Sequence, residues 1–185
     1  KKDMQLYLYA FETNFSNLIF SESTYKDFEK AINDVGELLG FEVSMPDSEF
    51  GEGPDNIWYL NDTSYMIIEC KNESQTETIS KEYCGQLCMS DNWTKEKYGE
   101  NNTFYPIIVH KSNIFSRLAS PNDNFRIITE ESINKLFENI RLFCNAIIST
   151  PSINEQLINE CLVKYKLDYK SIIDNYTVQF IKEKN

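Results

Sequence analysis

The chain has 185 residues, 41% of them hydrophobic, which is enough for one well-buried core with an appended helical region. Against 18 basic residues stand 29 acidic ones, a formal net charge of −11, which argues against a broad phosphate-binding footprint of the chain's own. Five cysteines, an odd number without paired spacing, fit reduced thiols in a cytoplasmic protein better than a secreted disulfide framework, and no run approaches the roughly 18 apolar residues of a membrane span.

In chain order, residues 24 to 39 place Phe28, Ile32, Val35 and Leu39 at three- and four-residue steps. That spacing predicts a helix, capped by Ser23 or Thr24 and ended by Gly40. "FEVSM" reads as a strand. "SEFGEGPDN" reads as a loop, because Gly51, Gly53 and Pro54 punctuate it and Pro54 has no N–H to give a ladder. "IWYL" and "YMIIEC" are β-prone runs around the turn formers of "NDTS", and so predict a hairpin. A helix from Ser80 to about Lys97 follows, then a strand "FYPIIVH", a loop through Pro121, a strand "FRIIT", and a Thr129-capped helix to about Ile148. Beyond Pro151, Ser152 and Glu155 of "SINE" form a capping box that opens two more helices to the C-terminus. The expected order is α-β-β-β-α-β and then β-α-α-α. Residues 1–150 hold the motifs, 151–185 form a C-terminal helical extension, and no internal repeat is present. The start at Lys1 rather than Met, with no basic-then-apolar leader, gives the expectation of a piece of a larger protein.

The hairpin carries the chemistry. Asp55 opens one strand, and Glu69 and Lys71, two apart, end its partner; they share a sheet face, while Cys70 points to the other. Two carboxylates brought together repel unless a hard cation lies between them, and oxygen ligands select magnesium or manganese over zinc. The main-chain carbonyl of Cys70 adds a further oxygen. Lys71 beside them would orient or deprotonate an attacking water and offset charge on a phosphorane-like transition state. These parts suit phosphodiester hydrolysis.

Other features carry less. A lone Glu-x-Lys is a common surface pair, and its weight here comes from the Gly-Pro-Asp on the neighbouring strand. Cys84 and Cys88, four apart on a helix, lack further ligands and read as small buried hydrophobes. His110, the sole histidine, reads as packed at a strand end. Trp93 and Tyr98 have the rings to stack bases, although aromatics at helical spacing are usually core. The basic tail "KYKLDYK" reads as a solvated face.

"GPD" at 53 to 55, thirteen intervening residues, and "ECK" at 69 to 71 resemble the signature of the PD-(D/E)xK, or restriction-endonuclease-like, nuclease superfamily. The αβββαβ order over about 24–110 is similar to its core. The resemblance implies an α/β fold with a mixed central sheet and a magnesium-dependent endonuclease, a hydrolase acting on DNA. It also implies a helper glutamate on the first helix, here Glu29 with Glu37 as the alternative, and a glutamine after the lysine, here Gln86 of "CGQL". "EFGEGPDNIW", "IIECKN", "ISKEYCGQL" and "PIIVHKS" are similar to nuclease domains fused to DEAD/DEAH-type helicases in bacterial antiviral defence proteins, which implies a helicase-type domain or partner. Residues 1–22 and 111–185 lie largely outside the resemblance. Lys111, Arg117 and Arg126, beyond the site, are the expected substrate contacts. The alternative is a catalytically inactive nuclease-like module that binds nucleic acid or a partner protein.

Overall fold

The structure is a computed structural model that describes residues 2–21 and 25–184. The chain runs α1 (Lys2–Phe15), α2 (Tyr25–Leu38), β1 (Glu42–Ser44), α3 (Pro46–Phe50), β2 (Asn56–Asn61), β3 (Ser64–Cys70), α4 (Lys81–Tyr98), β4 (Thr103–Val109) and β5 (Ile114–Phe115). It continues through β6 (Arg126–Ile128), α5 (Glu130–Ser149), α6 (Glu155–Lys164), α7 (Ile172–Tyr176), β7 (Val178–Gln179) and β8 (Ile181–Lys182). Six strands form a mixed sheet in the order β1-β2-β3-β4-β6-β7. The β1-β2-β3 meander is antiparallel, β3, β4 and β6 are parallel, and β7 returns antiparallel on β6. The fold is therefore α/β.

Alternation along β3 assigns the two faces. Met66, Ile68 and Cys70 enter the main core with Phe28, Ile32 and Val35 of α2 and Ile133, Ile140 and Ile147 of α5. Tyr65 and Ile67 face the other way, in a cluster with Ile57, Phe104 and Trp93 of α4. With both faces covered, β3 reads as a nearly continuous apolar run. Helix α2 lies close on the sheet because position 36 is glycine. A Cβ there would come within 2.5 Å of the Trp58 indole, whose N–H donates to the Ile32 carbonyl at 3.1 Å.

Several expectations are corrected. The expected caps Ser23 and Thr24 lie outside the described residues. Helix α1, unassigned from sequence, packs through Phe11 into the main core. The expected loop over 48–56 begins inside the short helix α3, with Pro46 in its first turn, where a missing N–H is tolerated. Helix α6 is capped by Asn154, whose side chain accepts the Leu157 N–H at 2.8 Å, rather than by Ser152. The C-terminus is not helical to its end: Val178 pairs with Ile127 and Ile181 with Ile114. Leu167, Ile172, Ile173 and Tyr176 from this part of the chain sit in the main core. Among the described residues no helix is long and apolar enough to cross a membrane.

Candidate functional site

The hairpin register builds the site. Asn56 lies opposite Ile68 and Ile57 opposite Ile67, so one further step sets Asp55 opposite Glu69. Directly opposed residues share a face. Asp55 follows the parity of Ile57, and Glu69 and Lys71 that of Ile67, so all three emerge on the α4 side of the sheet. Cys70 points to the opposite side, with its Sγ 3.6 Å from Asn56 Oδ1. The two expected carboxylates and the ammonium thus line one cleft of about 510 Å³, together with Gln86, Ser90 and Trp93 of α4.

Hydrogen bonds fix the acids. The Cys70 N–H donates to Asp55 Oδ2 at 2.7 Å. Glu69 is buried; its Oε1 accepts from the Ser90 hydroxyl at 2.5 Å, and its Oε2 accepts from Lys71 Nζ at 3.3 Å. The Lys71 ammonium also stands 5.5 Å from the centre of the Tyr83 ring. On the other side of the hairpin, Asn56 donates to the Glu29 carbonyl at 3.0 Å and ties α2 to the start of β2.

Burial and crowding set the charges. Burial first, and then the neighbouring Glu69, push the Asp55 carboxyl up to about 8, against the opposing pull of Lys71 and the Cys70 N–H. Burial also raises Glu29; Lys71 partly offsets this, and Asp47, Glu69 and Glu73 add to it. For Lys71, burial disfavours the ammonium, but Glu69 and Asp55 outweigh that and leave its pKa above the ordinary lysine value. Lys71 is therefore a cation at neutral pH. Among the described residues one ammonium faces the acids Asp55, Glu69 and Glu29, and burial together with Glu69 keeps the proton on the Asp55 carboxyl near neutrality. An all-oxygen donor set short of positive charge fits a hard divalent cation. Among the described residues no three His, Cys, Asp or Glu side chains converge as a ready metal cage. The fit therefore rests on Asp55 and Glu69, with the Cys70 main-chain carbonyl as a third oxygen.

The other sequence candidates fall into two groups. Gln86 is exposed on the cleft wall. Glu29 is half-buried within electrostatic reach of Asp55, Glu69 and Lys71, whereas Glu37, two helical turns further along α2, is exposed away from the cleft. Lys111, Arg117 and Arg126 do not line the cleft. Lys111 bonds the Gln75 carbonyl and pairs with Glu77 at 3.0 Å, the Arg117 N–H donates to Glu183, and the Arg126 guanidinium donates to Thr177. His110 is fully buried, with Nε2 bonded to Ser74 and Nδ1 to Ser112, and burial lowers its pKa. Ser90 was not singled out from sequence, yet it lies four residues after Gln86 and hence on the same helix face. Comparison of the chain with protein-family models, with curated proteins and with solved structures finds no match.

Proposed function

We propose that the chain is a divalent-cation-dependent endonuclease that hydrolyses phosphodiester bonds in DNA, as part of a larger restriction, antiviral-defence or DNA-processing protein. The observation that carries this reading is the placing of Asp55 opposite Glu69, with Lys71 on the same face and all three in one cleft. The two carboxylates so placed repel each other and Lys71 offsets this only in part, which is the pattern of a site held together at a cost in stability.

Asp55, Glu69 and the Cys70 carbonyl would hold magnesium or manganese, which when bound supplies Lewis-acid charge beside the scissile phosphate. The chain's own residues do the rest. Lys71 keeps its proton and donates to the phosphoryl oxygens or to the attacking water, so it offsets developing negative charge rather than acting as a base. Ser90 fixes one Glu69 oxygen and leaves the rotamer little freedom. Glu29, half-buried within electrostatic reach of Lys71 and with its pKa raised by burial, would exchange a proton with water there. Gln86 presents an amide to the same cleft.

Asp47 and Glu52 also line the cleft, so its rim is acidic like the chain as a whole. That charge favours delivery of DNA by a tethered helicase-type domain or partner over free capture, because a tether replaces affinity with local concentration. The same acidity is what would favour an inactive binding module. Circular single-stranded and supercoiled duplex DNA, incubated with Mg²⁺ or Mn²⁺, separate the two readings. The nuclease reading expects linear products that vanish with chelator and with Lys71→Ala. Undiminished cutting by Lys71→Ala, or intact circles at every metal concentration, would count against it.

A further inference from the structure

Trp93 lines the same cleft as Asp55, Glu69 and Lys71. Two neighbours fix its ring. The Gly53 backbone lies so close that a Cβ there would sit 2.9 Å from the indole, and the Lys97 ammonium stands 4.6 Å from the ring centre. The same ammonium lies 4.5 Å from the centre of Phe50, a ring left 60% exposed. Met89, 72% exposed, lines the cleft beside them. Tyr98 differs: its hydroxyl is bonded to Tyr59 at 2.7 Å and its ring stacks on Tyr65, so it belongs to the core. Beside the acidic Asp47 and Glu52, the rim therefore also presents the exposed Phe50 ring and the half-buried Trp93 ring.

Resting on the phosphodiester reading of this cleft, we propose that Trp93 and Phe50 form a stacking platform for an unpaired base, and that the strand taken by the site is single-stranded. An acidic rim gives phosphates no attraction of the kind that holds a duplex. Stacking supplies affinity without regard to backbone charge and tolerates any base, but it needs a base whose face is free. Lys97 completes the device. It is an exposed four-carbon arm, and when a base takes the rings its ammonium is free to pair with the adjoining phosphate.

The chain's own fluorescence reads this out. It has two tryptophans, and Trp58 is 3% exposed with its N–H bonded to Ile32, so a stacking base quenches Trp93 alone. The probe is an oligothymidylate of about 12 nucleotides, added in chelator so that nothing is cut. Saturable quenching by this strand, and not by a blunt duplex of the same length, is expected. Trp93→Ala should weaken binding, followed by anisotropy, about ten- to hundredfold, and Phe50→Ala, at an exposed position that leaves the fold intact, about fivefold. Absence of quenching, or variants and duplex that bind like the wild-type chain and single strand, would overturn the platform. A chain that is quenched yet never cuts DNA keeps the platform and sinks the nuclease reading. A chain that cuts duplex DNA at full rate after both substitutions does the reverse.

Discussion

Replacing Asp55 by Asn is expected to stabilise the metal-free protein, and to do so only above mildly acidic pH. In the unfolded chain Asp55 loses its proton near its ordinary value of 3.8; in the fold, burial and Glu69 hold it up to about 8. Between those values the folded state carries a proton that the unfolded state has released, so stability falls as pH rises from about 4 to about 8. Each pKa unit corresponds to about 1.4 kcal/mol, which sets a ceiling of about 4 kcal/mol at neutral pH. Asparagine removes the charge and keeps an acceptor for the Cys70 N–H, now 2.7 Å from Asp55 Oδ2. Solvent screening of an open cleft relieves part of such a repulsion, so the gain expected is about 1–3 kcal/mol, or a rise of roughly 3–10 °C in Tm for a chain of this size. Thermal unfolding in chelator at pH 7.5 and pH 4.5 measures it, with the gain present at the higher pH and almost absent at the lower. Mn²⁺ should then reverse the order, stabilising the wild-type chain and not the variant. An Asp55→Asn protein that is less stable at pH 7.5, or equally stabilised at both pH values, would refute the reasoning.

Three further substitutions test separate links. Lys71→Ala removes the ammonium bonded to Glu69 and should lower cleavage at least about a hundredfold, with circular dichroism unchanged. Ser90→Ala removes the donor 2.5 Å from Glu69 Oε1; Mn²⁺ affinity, read by calorimetry, should fall about tenfold, and an unchanged affinity would make Ser90 merely structural. Gly36→Ala drives a methyl to within 2.5 Å of the Trp58 ring and should destabilise the fold by about 1–3 kcal/mol in denaturant titration, far from the cleft and independent of metal.

The elements legible in the sequence are those whose signal is local. Helix α2 shows its 3.6-residue apolar period, α4 and α5 carry the side-chain caps Ser80 and Thr129, and the β2–β3 hairpin is centred on turn formers. From the hairpin alone, parity put Asp55, Glu69 and Lys71 on one face and Cys70 on the other. The parts that escaped are defined by partners far away in the chain. Strands β5, β7 and β8 have two residues each, too few for any period, and exist because Ile114, Ile127, Val178 and Ile181 pair across long separations. Asn154 displaced Ser152 as a cap because either residue type serves, and only the backbone decides which one sits at the helix start. Lys111 and Arg126 looked available as cations, yet they are engaged by Glu77, by the Gln75 carbonyl and by Thr177, partners that no reading of spacing supplies. Ser90 was within reach of the sequence, one helical turn beyond Gln86, and Trp93 lies almost one more turn along the same face.

The central claim is that Asp55 and Glu69 are opposed across the hairpin in order to hold a cation. Anomalous diffraction from crystals soaked in Mn²⁺ tests it most directly. One peak is expected about 2.1 Å from an Asp55 oxygen, a Glu69 oxygen and the Cys70 carbonyl, absent from Asp55→Asn crystals. Crystals in which Mn²⁺ binds elsewhere or not at all, with the two carboxyl groups still facing the same cleft, would contradict it.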